Sequence, residues 1–202
     1  MTVTAITRRG ALVLLLGAAL AGRPAAALDT KAAESFVAEV VEELRTLVEN
    51  GREGPAGAAE FLALLERRSA IDAVARFAAG RAWRDMNEAQ QKAYLAAYRT
   101  YISNTYQNRF GEYAGEDIVV GGAIDAGNKG VIVKSTLVRP AGAPVAVEWL
   151  VSDRTGSPLL ADIIFEGVSL AITLRETFGG MIESRGGDID RFIADLASSA
   201  GA

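Results

Sequence analysis

The sequence predicts an α+β domain: a four-stranded antiparallel sheet cupped by N-terminal and C-terminal helices, with an apolar cavity between sheet and helices. Three observations predict it. Apolar residues recur at helical spacing through the first half of the chain and again after position 169. Between 118 and 165 the period falls to two, and β-branched residues gather in short runs. Short turns rich in Gly, Pro and Asn separate those runs, which makes neighbouring strands antiparallel.

The chain opens on an expected signal peptide, residues 1–27. Arg8 and Arg9 precede an apolar run from Ala11 to Leu20, and Ala25-Ala26-Ala27 supplies small residues for cleavage. The run is too short to cross about 30 Å of hydrocarbon. Thr7-Arg8-Arg9 also permits twin-arginine export. No cysteine follows, which excludes a lipid-anchored product. The expected product is therefore soluble and outside the cytoplasm, a single domain over 28–202.

Charge narrows the partners. The chain has 21 basic and 25 acidic residues; removing Arg8, Arg9 and Arg23 with the leader leaves 18 against 25, net −7. Such a protein gains nothing from phosphate backbones, so nucleic acid is not an expected partner. Without cysteine there are no disulfides, and the core of the remaining 175 residues must hold the fold unaided.

Asp29 suits an N-cap for a first helix that carries Phe36, Val40, Val41, Leu44, Leu47 and Val48 on one broad face. Asn50-Gly51 and Gly54-Pro55 end it. Helices over 58–67 and 71–79 follow, the latter closed by Gly80; they are read as packing units without chemistry of their own. Asn87 and Gln90 form the ends of a capping box that opens the longest helix, reaching about residue 110. Its inward stripe is Tyr94, Tyr98, Tyr101, Ile102, Tyr106 and Phe110. Two readings fit this stripe, ordinary core and the wall of a lipid cavity, and the stripe alone does not decide between them.

Four strands are expected over 118–120, 131–139, 145–153 and 159–165. Val145, Val147, Trp149 and Val151 share one face of the third; Val131, Val133, Ser135 and Leu137 share one face of the second. Helices should cover the more apolar side. The last strand meets Gly167, read as a hinge that needs positive φ or close approach, and Ser169 then opens an apolar helix carrying Leu170, Leu174, Phe178, Met181 and Ile182. A final helix starts near Asp188.

The catalytic inventory is thin. There is no histidine and no cysteine, hence no imidazole base, thiolate or ordinary zinc site. Asp162 and Glu166 could form a paired-carboxylate site. The more ordinary roles are Asp162 as an acceptor for backbone or an arginine, and Glu166 as a cap on the following helix. No catalytic residue, metal or cofactor is expected, and the chain is not read as an enzyme.

The segment Arg76-Phe77-Ala78-Ala79-Gly80-Arg81-Ala82-Trp83-Arg84 brackets two large aromatics with three arginines. It reads either as a helix–turn–helix corner or as a cationic rim beside an apolar opening, suited to an anionic headgroup.

These residues carry a resemblance. The arginine–aromatic segment is similar to the "RFALGRYWR" of the MlaC, or toluene-tolerance, family of periplasmic phospholipid-binding proteins, departing at Ala79 and Ala82. Residues 87–106 resemble the family's following helix, with Gln90 or Gln91, Tyr94, Tyr98 and Tyr106 in place. Asp162-Ile-Ile-Phe-Glu-Gly-Val-Ser-Leu170 is similar to "D-V-x-V-E-G-V-S-L", the most specific of the three. The family's "G-x-W-K-I-x-D" is altered here, with Pro158 at the aromatic position.

The resemblance implies a monomeric periplasmic carrier with phospholipid as cargo. It would pass lipid between an inner-membrane ABC lipid transporter complex and an outer-membrane lipoprotein complex. A hopanoid-associated branch of the family, and a non-transport periplasmic interaction module with a dry core, are the alternatives. Periodicity selects the expected cavity-facing residues: Tyr98, Ile102, Tyr106, Val133, Val147, Trp149, Ile164, Val168, Leu170 and Leu174, with Phe77 and Trp83 beside the opening.

Overall fold

The protein's structure, a computed structural model, describes residues 28–50, 54–110 and 115–198, the side chains of 106–110 excepted. The expected leader over 1–27 and the side chain of Tyr106 lie outside the described residues. Helices α1 (Thr30–Glu49), α2 (Gly54–Arg68), α3 (Ile71–Ala79), α4 (Ala82–Asp85) and α5 (Glu88–Phe110) come first. Strands β1 (Asp117–Asp125), β2 (Val131–Val138), β3 (Val145–Ser152), β4 (Leu159–Phe165) and β5 (Val168–Ser169) follow, then α6 (Leu170–Glu183) and α7 (Ile189–Ser198). None of the described helices is long and apolar enough to cross a membrane.

The sheet is an antiparallel meander in the order β1-β2-β3-β4-β5. It has five strands, not the expected four. The reason is local: Phe165 pairs with Val168, so Glu166 and Gly167 form a two-residue hairpin loop. Their φ values are 48° and 80°. Positive φ at both loop residues is what a tight hairpin matching the sheet's twist requires. The chain therefore turns back for two residues before α6 starts, where a direct strand-to-helix hinge was expected. Glu166 does not cap α6 either; its Oε1 accepts the Ala146 N–H at 2.5 Å, back across the sheet.

Helix starts follow their caps. Gln90 N–H donates to Asn87 Oδ1 at 2.9 Å, and Asn87 N–H to Gln90 Oε1 at 3.1 Å, the reciprocal bonds of a capping box. At α6, Ser169 Oγ accepts the Ile172 N–H at 3.1 Å. At α7, Asp188 Oδ1 accepts the Arg191 N–H at 3.0 Å. α2 begins earlier than expected, at Gly54, with Pro55 in its first turn, where the missing N–H has no helical partner to lose.

The interior divides into two cores. In one, Ala33, Phe36, Val37, Val40 and Val41 of α1 lie on Val131, Val133, Val147, Trp149 and Val151 of the sheet. In the other, α3, α5, α6 and α7 gather around Tyr94, Tyr98, Phe178 and Phe192. Tyr94 is fully buried, and its hydroxyl donates to the Ala75 carbonyl at 2.7 Å. Burial pushes its phenol pKa well up. Tyr94 and Phe192 stack with ring centroids 5.9 Å apart; Phe178 meets Tyr98 edge-on at 6.2 Å. The cores join along β4, where the Ala70 N–H donates to the Leu160 carbonyl at 2.8 Å.

Candidate functional site: an apolar pocket at the seam between two cores

A pocket of about 250 Å³ lies along that seam. Leu44 comes from α1, Phe61 and Leu65 from α2, Ile71 and Val74 from α3, and Tyr98 and Ile102 from α5. Ile118 and Trp149 of the sheet, Leu160 to Ile163 and Phe165 of β4, and Leu170, Ala171 and Leu174 of α6 complete it. Phe61, Ile71, Tyr98, Ile102 and Leu174 belong at the same time to the helical core.

The walls keep their polar groups occupied. Trp149 Nε1 donates to Ser135 Oγ at 2.8 Å, and that hydroxyl donates to the Val147 carbonyl at 3.0 Å. The indole thus presents carbon to the pocket with its N–H satisfied. Ser69 Oγ donates to the Leu65 carbonyl at 2.7 Å. Asp162 accepts the N–H groups of Ile163 at 2.9 Å and Ala171 at 3.0 Å, and the Ser169 hydroxyl. It acts as a structural acceptor, joining β4 to the start of α6. A pocket so lined offers an apolar guest burial without stranding a donor or acceptor.

Of the residues selected from sequence, Tyr98, Ile102, Trp149, Leu170 and Leu174 line this pocket. Val133 and Val147 lie in the α1–sheet core instead. Ile164 pairs with Glu148, whereas Ile163 pairs with Trp149, so it is Ile163 that shares the pocket side of the sheet. Val168 is 61% exposed at the β4–β5 hairpin. Phe77 and Trp83 sit away from the pocket at the α3–α4 corner. There the Arg175 guanidinium lies 5.1 Å from the Phe77 ring centre, and that of Arg76 lies 5.3 Å from Trp83. Gly80 in the same corner has φ 59°, and an added Cβ would come within 3.3 Å of Arg175 Nε.

Sequence reasoning missed the contributions of α2 and α3, since Phe61, Leu65, Ile71 and Val74 read as plain helix packing. It also missed Ile163 and Phe165. Their alternation along β4 was a usable signal once a register was fixed.

A larger groove of about 650 Å³ runs between α1 and α2, lined by Glu39, Glu42, Glu43, Glu60, Arg67 and Arg68 among others. Arg67 and Arg68 pair with carboxylates of its wall. Arg68 Nε donates to Glu43 at 2.8 Å, Arg67 to the same carboxylate at 3.1 Å, and Arg68 lies 3.2 Å from Glu39. The Arg68 hydrogen bond, aided by Arg67, holds the Glu43 pKa below the ordinary carboxylate value. Among the described residues, no cluster of His, Cys, Asp or Glu could hold a metal ion.

The fold has a solved counterpart. A structure of the phospholipid-binding protein from Ralstonia solanacearum, in complex with a phospholipid, superposes with a TM-score of 0.64 at 22% sequence identity. The match covers 82% of this chain and 99% of that one. At this identity the likeness establishes the architecture. The family profile described as MlaC protein matches residues 34–198, from within the first turns of α1 to the end of α7. The chain belongs to the MlaC family.

Proposed function

We propose that this protein is a periplasmic lipid carrier that holds phospholipid acyl chains in the seam pocket and leaves the headgroup near solvent. Its role is binding and transfer rather than catalysis. The observation that carries the reading is the pocket itself, lined mostly by apolar side chains, with the polar groups of Trp149, Ser69 and Asp162 bonded within the protein. Burial of acyl chain contributes about 0.8 kcal/mol per methylene, enough to hold a lipid without any reactive group. The phospholipid bound by the Ralstonia solanacearum protein supports the same class of cargo.

The pocket's 250 Å³ falls below the roughly 300–1,000 Å³ usual for ligand sites. A diacyl lipid therefore widens the seam by moving the two cores apart. In this reading the carrier is a monomer, exported by its leader, that exchanges lipid with an inner-membrane ABC transporter complex and an outer-membrane lipoprotein complex.

Native mass spectrometry of the exported protein tests the proposal. We expect a copurified phospholipid mass, released on denaturation. A uniformly empty protein would overturn the carrier reading in favour of an interaction module. A triterpenoid mass would replace phospholipid with a hopanoid-type cargo.

A further inference from the structure

We propose that Phe165, Val168 and Ile172, with Arg175 and the arginines of the α3–α4 corner, form a docking surface for an anionic lipid bilayer. The inference rests on reading the pocket as a lipid site, and it adds where the lipid source is met.

Three large apolar side chains stand in the open here: Phe165 at 42%, Val168 at 61% and Ile172 at 50% exposure. They are neighbours by construction. Phe165 and Val168 are cross-strand partners in the β4–β5 hairpin, and the Ile172 N–H binds Ser169, the residue after Val168. One turn further along α6, Arg175 lies over the exposed ring of Phe77. The strip thus runs from the hairpin to the α3–α4 corner. Its inner end is the pocket, since Phe165 both lines the pocket and reaches solvent.

The charge along this strip runs against that of the whole chain, whose net charge is −4. Arg76, Arg81, Arg84 and Arg175 are all exposed. Among the described residues only Arg81 has a carboxylate partner, Asp85 at 3.7 Å. Glu166 is turned back onto the Ala146 N–H, leaving Glu176 as the acidic residue of the α6 turn. Apolar side chains to enter the acyl region, with exposed guanidiniums along the same strip to meet phosphates, match the layered chemistry of an anionic membrane surface. An acidic protein would need to surround an apolar hollow with carboxylates to match the same strip.

Vesicle flotation tests this with residues 28–202, which contain every described element and both cores. Vesicles of phosphatidylglycerol and phosphatidylcholine should capture the protein, progressively less as salt rises, and pure phosphatidylcholine vesicles should not. Arg81→Gln with Arg84→Gln should weaken capture about 25-fold, at roughly fivefold per arginine. Ile172→Asp should abolish it. Circular-dichroism melts should show both variants folded, and mass spectrometry should find their copurified lipid unchanged.

Absence of capture, equal capture by the two vesicle types, or arginine-dependent binding of a polyglutamate peptide in place of vesicles would each overturn the docking surface. Lipid-loaded protein that ignores vesicles sinks this inference alone. Empty protein that still binds anionic vesicles sinks only the pocket reading.

Discussion

The carboxylate of Asp162, on β4, accepts the backbone N–H of Ala171, in the first turn of α6, at 3.0 Å. The same side chain takes the Ser169 hydroxyl, which in turn caps the helix. One acidic residue thereby fixes the angle at which α6 leaves the sheet and closes one side of the pocket. Asp162→Ala should destabilise the protein by about 1–3 kcal/mol, the cost of part-buried donors left without an acceptor. Asp162→Asn, which keeps one acceptor oxygen, should lose less. Chemical denaturation of the two variants checks the order, and equal losses would count against it.

A charge inside the pocket should empty it. Leu170 is half-buried on the pocket wall and packs at the margin of the helical core, so Leu170→Glu places a carboxylate against any acyl chain without removing a fully buried member of either core. We expect at least a tenfold drop in copurified lipid, measured by extraction and thin-layer analysis. Leu170→Met should retain cargo. Full occupancy in the glutamate variant would refute the assignment.

Gly167 sits in the hairpin loop at φ 80°, with open space where a Cβ would go. Any penalty there is conformational and not a clash. Gly167→Val should cost about 1–2 kcal/mol, which lowers the melting temperature by roughly 2–8 °C in a domain of this size. Gly167→Asn should be milder, because Asn enters the left-handed region more readily. An unchanged melting temperature for the valine variant would contradict this.

Acid sensitivity should appear at the α1–α2 contact. Glu43 has its pKa lowered in the fold by hydrogen bonding to Arg68, so its contribution is present above the unfolded value of about 4.3. That contribution fades as pH falls through the lower, folded value. Glu43→Gln should therefore lower stability at pH 7 by about 1 kcal/mol or less, with the difference shrinking as pH falls through the lowered folded value. A pH series of melts would show the convergence.

Much of this architecture was legible because it is written locally. Asn87 and Gln90 announce the start of α5, and the alternation of Val145, Val147, Trp149 and Val151 announces the buried face of β3. The site was only half legible. Ile163 and Ile164 are equally apolar, so composition could not say which faces inward; the pairing of Ile163 with Trp149 decides it. The register shift at Ala161, where β4 gains a residue against β3, is likewise set by tertiary pairing. Phe61 and Val74 meet the pocket through the relative placement of helices, which no local pattern records. The β5 turn was hidden because Glu at positive φ is uncommon outside a hairpin that enforces it.

The pocket lies where two cores fail to close on each other, so whatever fills it completes the interior. Loading and folding stability are then one equilibrium, and a filled molecule should melt above an emptied one by an amount that grows with free ligand. The melting temperature becomes a gauge of freight. On the carrier reading, release is uphill for the protein alone, so delivery requires a recipient that grips either the lipid or the vacated protein more strongly than the seam does. Direction of transfer, on the same reading, belongs to the pair, and the protein by itself would have no preferred destination.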